Sequence, residues 1–332
     1  MSLEISIIIP THNSSETITK CLISLLNQTF RNFELLIVDD GSLDNTLEVI
    51  NKVDFKDINH TVLVNDERGV ATARNKGIKS SKGKYVMFID SDDFVHETYL
   101  TDFSLLTLGE EYDLIISGYQ KYYAKTGQIT NVSVNEYSWK LADFLLNVDK
   151  FLFPPILQGP CWKLFKKEII EAHSIYFPTG IQYGEDTYFV LNYLEKCSTV
   201  KTIPVCKYIY IIYDKQTLSK SFNLDRLGIV NIHLDILGRI SNNNQVLIKN
   251  QIKSRIMIDA FTKEIDDIFY NNSVSYKNSI VQLKSLAKYK DFVKALRSSK
   301  KIKIKYLYFL FKLKQYYLLA FLYKRRNKIT NQ

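Results

Sequence analysis

The chain has 332 residues, of which 46% are hydrophobic and 24% charged, as in an ordinary folded globular protein and unlike a disordered one. Its length favours one large domain with an appended segment. The first apolar run, residues 5–9, ends at Pro10 and is too short for a secretory signal, so we expect a cytoplasmic protein. The four cysteines lack CxxC spacing, which favours reduced thiols over disulfides or zinc ligands.

The net charge of +9 is concentrated at the C-terminal end. Residues 292–332 contain twelve Lys or Arg and no acid, whereas the rest of the chain has 32 basic and 35 acidic residues. Lysines interleaved with Tyr, Phe and Leu are typical of a helix lying in a membrane interface, and no apolar stretch there reaches the ~20 residues of a spanning helix. We expect peripheral contact of 292–332 with the inner face of the cell membrane and no nucleic-acid partner. A helix packed on the protein, or an oligomer contact, is the alternative.

Strands and helices alternate in the first 118 residues. Short apolar runs predict strands over 5–9, 33–38, 61–64, 85–89 and 114–117, and helical spacing predicts helices over 18–26, 46–53 and from about 70. This alternation predicts βαβ units and a mainly parallel sheet. Residues 119–215 are irregular, with aromatics and Pro/Gly turns, and are typical of a variable ligand face. Helical spacing returns beyond 224.

Two polar clusters follow the first two strands. Pro10, Thr11, His12 and Asn13 come directly after the first, and Asp39 and Asp40 of the VDDGS segment follow the second. Neighbouring strand ends face one crevice in such sheets, so these loops can meet around a ligand. The carboxylates can accept hydrogen bonds from a base or from ribose hydroxyls. The segment is also a good turn sequence, which is the structural alternative.

Two further clusters carry charge. Arg68 and Arg74 flank the start of a predicted helix, whose free amides suit phosphate, although both can also be solvated helix charges. Asp90, Ser91, Asp92 and Asp93 follow the buried run 85–89. A divalent cation shared with ligand phosphates would relieve the repulsion among these carboxylates, and a solvated acidic turn is the alternative. Together the four clusters predict a site for a nucleoside diphosphate.

The strings IIIPTHN, VDDGS, RGxxxARN and FIDSDD resemble, in order and spacing, the nucleotide-sugar half of the family 2 glycosyltransferases, over about residues 3–120. The strings at 160–165 and 183–189, PCWKLF and YGEDTYF, resemble acceptor-side elements of members that build bacterial surface polysaccharides. The resemblance implies an α/β GT-A fold with a Rossmann-like, mainly parallel sheet. It further implies a nucleotide-sugar half at 1–120, an acceptor half at 121–224 and a helical C-terminal region at 225–332.

The resemblance also implies roles for the donor-side residues. Pro10, Thr11, His12 and Asn13 would line the nucleoside pocket, and Asp39 or Asp40 would bind the uracil or its ribose. The remaining donor residues would be Arg68, Arg74, Asp90, Ser91 and Asp92. Asp92, together with Asp90, would hold Mn²⁺ or Mg²⁺ as the DxD element, with Asp93 as support.

On the acceptor side, the resemblance implies that Asp186 is the catalytic base, and that Trp162, Lys163 and Glu185, the residue beside Asp186, bind the acceptor. From sequence alone, Glu185 and Asp186 are also a normal acidic pair at a helix start, and Trp162 and Lys163 a core aromatic and a surface amine. The implied activity is inverting transfer from a UDP-sugar to a growing surface glycan. The acceptor would be a lipid-linked repeat unit, with a surface glycoprotein or a teichoic acid as alternatives.

Two other classes of protein remain as alternatives. A noncatalytic sugar-nucleotide or glycan-binding protein with this fold would be expected to lack Asp92 or Asp186, and both are present. A nucleotidyltransferase would need a glycine-rich triphosphate loop after the first strand, where Pro10 to Asn13 stand instead. The chain has no GxGxxG, GxxxxGK[ST] or GxSxG motif, which counts against dinucleotide, P-loop and hydrolase sites.

Overall fold

The computed structural model of the chain describes residues 4–107, 111–181, 183–213 and 226–270, together with 281, 284, 308–310, 312–316 and 318. The chain divides into two compact units. The first comprises 1–215 with 243–246, and the second comprises 216–242 with 247–332. The three-part division at 120 and 224 that the resemblance implies stays a prediction.

The first unit is organised around an eight-stranded sheet. In spatial order its strands are β3 (Asn59–Val64), β2 (Phe33–Asp39), β1 (Ile5–Thr11), β4 (Tyr85–Phe88), β10 (Lys163–Lys166), β6 (Leu114–Ser117), β11 (Thr199–Ile203) and β9 (Tyr137–Lys140). The first four run parallel, β10 is antiparallel to both its neighbours, β6 and β11 are parallel, and β9 is antiparallel at the edge. The predicted α/β fold with a mainly parallel sheet is therefore confirmed.

The strands β1 and β2 are buried at every residue, which explains their unbroken apolar runs. The helices of this unit are α1 (Ile18–Leu26), α2 (Thr46–Asn51), α3 (Val70–Ser80), α4 (Tyr99–Thr107), α5 (Leu141–Leu146), α6 (Asp149–Leu152), α7 (Lys167–Ala172) and α8 (Glu185–Leu194). Helix α3 lies close on β1 because Gly77 has no Cβ, and a Cβ at that position would overlap the side chain of Ile8. This contact fixes the helix that carries Arg74.

A second, four-stranded sheet lies next to the acidic run. Its order is β5 (Phe94–Val95), β12 (Tyr208–Ile212), β7 (Tyr119–Tyr123) and β8 (Gln128–Val132). The region 119–215, expected to be irregular, thus forms strands β7 to β12 and helices α5 to α8. Its aromatic residues favour strands and pack on one another, as Tyr119 does on Trp162 with ring centroids 4.1 Å apart.

The described part of the second unit is helical, as the sequence predicted. It contains α9 (Arg226–Asn243) and α10 (Asn250–Tyr270), and the buried carboxylate of Glu264 accepts a hydrogen bond from the Leu227 amide at 3.0 Å. Most of the basic segment 292–332 lies outside the described residues, so its membrane contact stays a prediction. Within the described residues, no helix is both long and apolar enough to cross a bilayer.

Candidate active site

The loops after β1 and β2 are tied together at the carboxyl edge of the sheet. Asn13 adopts a left-handed φ of 50°, its amide donates to Ser42 Oγ at 3.0 Å, and its Oδ1 accepts from the Leu43 amide at 2.8 Å. The exposed His12 ring places Nδ1 2.9 Å from the carbonyl oxygen of Asp40. The structure therefore brings the two predicted nucleoside loops into one cluster.

The two carboxylates of the VDDGS segment already have protein donors. Asp39 is 1% exposed and accepts hydrogen bonds from the Ser42 amide and hydroxyl, so it shapes the turn. Asp40 accepts from the Gly69 amide at 2.8 and 2.9 Å and from Asn65 Nδ2 at 2.7 Å. Asp40 thus holds the loop that leads into α3, and a nucleotide contact of either residue stays a prediction.

Two side chains near these loops have unused polar groups. The hydroxyl of Thr11, a residue 2% exposed, has no hydrogen-bond partner in the described part of the chain. Arg68 is exposed, and a Cβ on Gly41 would lie 3.6 Å from its Nε, so its guanidinium lies over the β2 loop. Among the described residues no carboxylate pairs with Arg68, which leaves this cation available to an anionic ligand.

Arg74 joins the donor side to the acceptor side. It is 4% exposed, and it donates from Nη2 to Asp90 Oδ1 at 3.0 Å and from Nη1 to Asp186 Oδ1 at 2.5 Å. Glu185 Oε1 lies 4.0 Å from Nη1. Asp90 at the end of β4 and Asp186 at the start of α8 are therefore held by one guanidinium, although 96 residues of sequence separate them.

The charges around Arg74 do not balance. One guanidinium faces three carboxylates, and burial changes the pKa of Asp186 more than the attraction by Arg74 does. Burial raises the pKa of Asp186 to about 7; Arg74 opposes this rise, while Glu185 and Asp90 add to it. A carboxylate with such a pKa is suited to accept a proton near neutral pH. Gly184, with φ of 81°, makes the turn that places Asp186 in the first turn of α8.

The members of the run 90–93 have different partners. Asp93 is 2% exposed and accepts hydrogen bonds from the Tyr208 hydroxyl at 2.7 Å and from the Ile211 amide at 2.9 Å. Ser91 is buried against Ser14, with their hydroxyls 2.9 Å apart. Asp92 makes no side-chain hydrogen bond or ion pair with any residue that the structure describes. Burial, and then Asp90, raise the pKa of Asp92 to about 6.

The residues of this run fit a divalent cation only if the ligand completes its coordination. No cluster of three or more His, Cys, Asp or Glu side chains suited to a metal occurs in the described residues. Asp90 is engaged by Arg74 and, at 3.5 Å, by the thiol of Cys161, whereas Asp92 is half-buried and free. One free carboxylate plus diphosphate oxygens is a coordination set that Mg²⁺ or Mn²⁺ accepts.

Two of the three predicted acceptor residues, Trp162 and Lys163, lie inside the protein. Trp162 is 8% exposed and donates from Nε1 to the Ile156 carbonyl at 2.9 Å. Lys163 is fully buried, and its ammonium donates to the carbonyls of Ile156, Gly159 and Cys161. Burial lowers the pKa of Lys163 to about 7. Lys163 is therefore not a surface amine; both residues shape the loop 156–163, and their contact with an acceptor stays a prediction.

Sequence reasoning missed three residues that support the site. Asn75 exchanges two hydrogen bonds of 2.8 Å with the backbone of Phe177, whose ring lies 5.3 Å from the Arg74 guanidinium carbon. Tyr208 holds Asp93, and Asn65 holds Asp40. Only Asn75 could have been found from the sequence, since it belongs to the RGxxxARN string. Tyr208 and Asn65 are far in sequence from the aspartates that they contact.

Comparison with known proteins places this site in a family. The model of glycosyl transferase family 2 matches residues 6–173, which are 168 of the 332 residues. The putative glycosyltransferase EpsH of Bacillus subtilis is 32% identical over 205 residues, 60% of this chain and 58% of EpsH, so the match spans less than two thirds of that relative. The poly(ribitol-phosphate) β-N-acetylglucosaminyltransferase TarP of Staphylococcus aureus is 29% identical over 305 residues, 86% of this chain and 88% of TarP.

A solved structure supports the same assignment at the level of the fold. S. aureus TarS 1–349 in complex with UDP-GlcNAc superimposes with a TM-score of 0.68 at 18% identity, covering 99% of this chain and 92% of the TarS chain. The likeness shows the GT-A fold. The chain belongs to glycosyl transferase family 2.

Proposed function

We propose that the chain is a metal-dependent, inverting glycosyltransferase that moves a sugar from a nucleotide-diphosphate donor to a hydroxyl of a surface glycan. One observation carries the proposal: Arg74 holds the Asp90 and Asp186 carboxylates, at 3.0 and 2.5 Å, within one cluster. Asp90, one of the residues predicted for donor and metal, thereby lies near Asp186, the residue predicted as the base. A protein that only bound the nucleotide would have no need for a carboxylate of raised pKa at this position.

The donor we propose is a UDP-sugar. TarS, which shares the fold, was solved with UDP-GlcNAc and with UDP. In the present chain, the clustered loops at 10–13 and 39–43 offer polar groups for a base and ribose, among them the unpaired hydroxyl of Thr11. The exposed guanidinium of Arg68 is positioned over the same loops and can meet the diphosphate.

The chemistry we assign is one in-line displacement. An acceptor hydroxyl oxygen forms a bond to the anomeric carbon while the bond from that carbon to the donor phosphate oxygen breaks, and its electron pair leaves with the diphosphate. Asp186 takes the hydroxyl proton, and Arg74 keeps this carboxylate aimed and favours its ionised form. Asp92 would hold a divalent cation, which would neutralise charge on the leaving diphosphate. A single displacement inverts the anomeric centre.

The acceptor is proposed as a growing surface polysaccharide or its lipid-linked repeat unit, reached at the inner face of the cell membrane. TarP, similar over 86% of this chain, acts by its name on poly(ribitol phosphate), which makes a teichoic acid the second candidate. A lipid-linked acceptor would agree with peripheral membrane contact of 292–332. Binding to anionic liposomes that persists after deletion of 292–332 would contradict that part of the proposal.

The test is a screen of UDP-, GDP- and dTDP-sugars for Mn²⁺-dependent hydrolysis and transfer. Asp92→Ala should lose the metal dependence, and Asp186→Ala should bind the donor without transfer. A noncatalytic binding protein would bind a nucleotide sugar and never turn it over. If no nucleotide sugar is bound or turned over, the proposed function is wrong.

A further inference from the structure

A polar cleft of about 510 Å³ lies on the outer side of helices α3 and α8, beside the segment that links α7 to α8. Its walls carry the exposed cations Lys79 and Lys196, the exposed His173, and the half-buried rings of Tyr176 and Tyr188. No aspartate or glutamate lines it. None of the roles assigned to the active site uses these residues.

The cleft has positive charge without compensation. In the described part of the chain, no carboxylate forms an ion pair with Lys79 or Lys196. Lys79 instead places its ammonium 5.5 Å from the centre of the Tyr176 ring. Two lysines that face a shared cleft repel each other, and an anion between them would be stabilised by both.

The cleft and the catalytic cluster share helix α8 and adjacent residues of helix α3. Tyr188, Asn192 and Lys196 follow one another at intervals of four residues, which places them along one side of α8 and just past its end, beginning two residues after Asp186. Asn75, which lines the cleft, is adjacent to Arg74 in sequence. Its side chain exchanges two hydrogen bonds with the backbone of Phe177, which also lines the cleft. A chain lying in the cleft would therefore run beside the helix that carries the base.

We propose that this cleft binds a negatively charged, hydroxyl-rich chain, namely a segment of the acceptor that lies beyond the reacting hydroxyl. The lysines bind its anionic groups, the amide oxygen of Asn192 accepts a hydrogen bond from one of its hydroxyls, and the tyrosine rings cover its carbon faces. The identity of this chain as the acceptor rests on the proposed function. The anionic groups can be phosphodiesters between polyols or carboxylates of uronic acids, and both offer the chemistry that the cleft recognises.

The experiment is a calorimetric titration of the full chain with three oligomers: ribitol phosphate, galacturonate and neutral dextran. The test variant is Lys79→Gln/Lys196→Gln. The control variant is Lys140→Gln/Lys150→Gln, which removes the same charge from two exposed lysines outside the cleft. We expect the test variant to bind the recognised anionic oligomer about five- to tenfold more weakly than wild type, because two solvated charge contacts are lost. The control should bind as wild type does.

The two anionic arms tell phosphodiester from carboxylate. Equal binding by wild type and the test variant, or equal weakening in the control, overturns the proposal, as does a preference of wild type for dextran. Donor hydrolysis is measured in parallel and should be unchanged in the test variant, because neither lysine belongs to the catalytic cluster. If no nucleotide sugar is turned over, the proposed function fails, and the oligomer titration still decides whether the cleft binds an anionic chain.

Discussion

The acidic loops that follow β2 and β4 look alike in sequence but have different surroundings. After β2, the carboxylates of Asp39 and Asp40 are matched by donors from Ser42, Gly69 and Asn65. After β4, Asp90 shares the guanidinium of Arg74 with Asp186 and Glu185, and Asp92 has no ion pair with any residue that the structure describes. The difference teaches that matched carboxylates stabilise loops, whereas unmatched negative charge marks the place prepared for a cation, a proton or a ligand.

The largest expected effect comes from an unmatched carboxylate. Asp186→Asn should lower kcat by about 10²- to 10⁴-fold, because the acceptor proton loses its base. The donor affinity and the melting temperature should stay close to wild type. Steady-state kinetics and UDP titration measure both. Glu185→Gln is the matched control, since its oxygen lies 4.0 Å from Arg74, and an equal loss there would remove the distinction between the two acids.

Removing Arg74 should cost stability. Arg74→Met leaves Asp90, Asp186 and Glu185 without their ion-pair partner, and we expect the free energy of unfolding to fall by about 3 kcal/mol at pH 8. Urea denaturation measures it. Arg68→Met is the control, because that exposed side chain pairs with none of the described residues, and its unfolding midpoint should not move. Equal stability of the two variants would show that Arg74 does not balance the cluster.

A matched carboxylate should behave in the opposite way to Asp186. Asp40→Asn weakens the charge-assisted hydrogen bonds from Gly69 and Asn65, and we expect a loss of about 1.5 kcal/mol in unfolding free energy without any ligand. Asp66→Asn, on an exposed carboxylate of the loop after β3, serves as control and should leave the midpoint unchanged. If Asp40→Asn is as stable as wild type, the β2 loop is not held by that carboxylate.

The smallest effect concerns Asp92 and is sensitive to pH. Because its pKa is raised to about 6, the folded protein favours the protonated carboxyl, and the stability present below the ordinary carboxyl pKa is lost as pH rises through 6. Asp92→Asn removes this loss. We expect its melting temperature to exceed that of wild type by about 2–4 °C at pH 8 and to equal it near pH 3.5 in thermal scans without metal. A variant that melts lower at pH 8 would contradict the account.

Local sequence patterns predicted the parallel half of the sheet well. The strands at 5–11, 33–39 and 85–88 are mainly apolar because both faces of the sheet are covered there, whereas the edge strand at 59–64 is largely exposed and only its apolar end was predicted. The second sheet was not predicted. Its strands are short, and β12 pairs with β7 and β5, which lie about 90 and 115 residues earlier, so no local periodicity reveals the pairing.

The site was predicted as a set of loops but not as a set of contacts. The motif order was enough to expect that Asp90, Arg74 and Asp186 belong to one site. The contact of Arg74 with both carboxylates depends on packing between residues 16 and 112 positions apart. For Lys163, the alternative of a surface amine is wrong, because the residue is buried and three carbonyls of a tight loop accept hydrogen bonds from its ammonium. The spacing of charged and apolar residues does not predict this loop conformation.

The central claim is that the carboxylates of the site have different roles, with Asp92 serving the donor and its metal and Asp186 serving proton transfer. The most direct measurement is calorimetric titration of UDP into wild type, Asp92→Asn and Asp186→Asn, each with and without Mn²⁺. The account predicts that Mn²⁺ strengthens UDP binding to wild type and to Asp186→Asn but not to Asp92→Asn. Mn²⁺-strengthened binding that survives in Asp92→Asn and is lost in Asp186→Asn would contradict it.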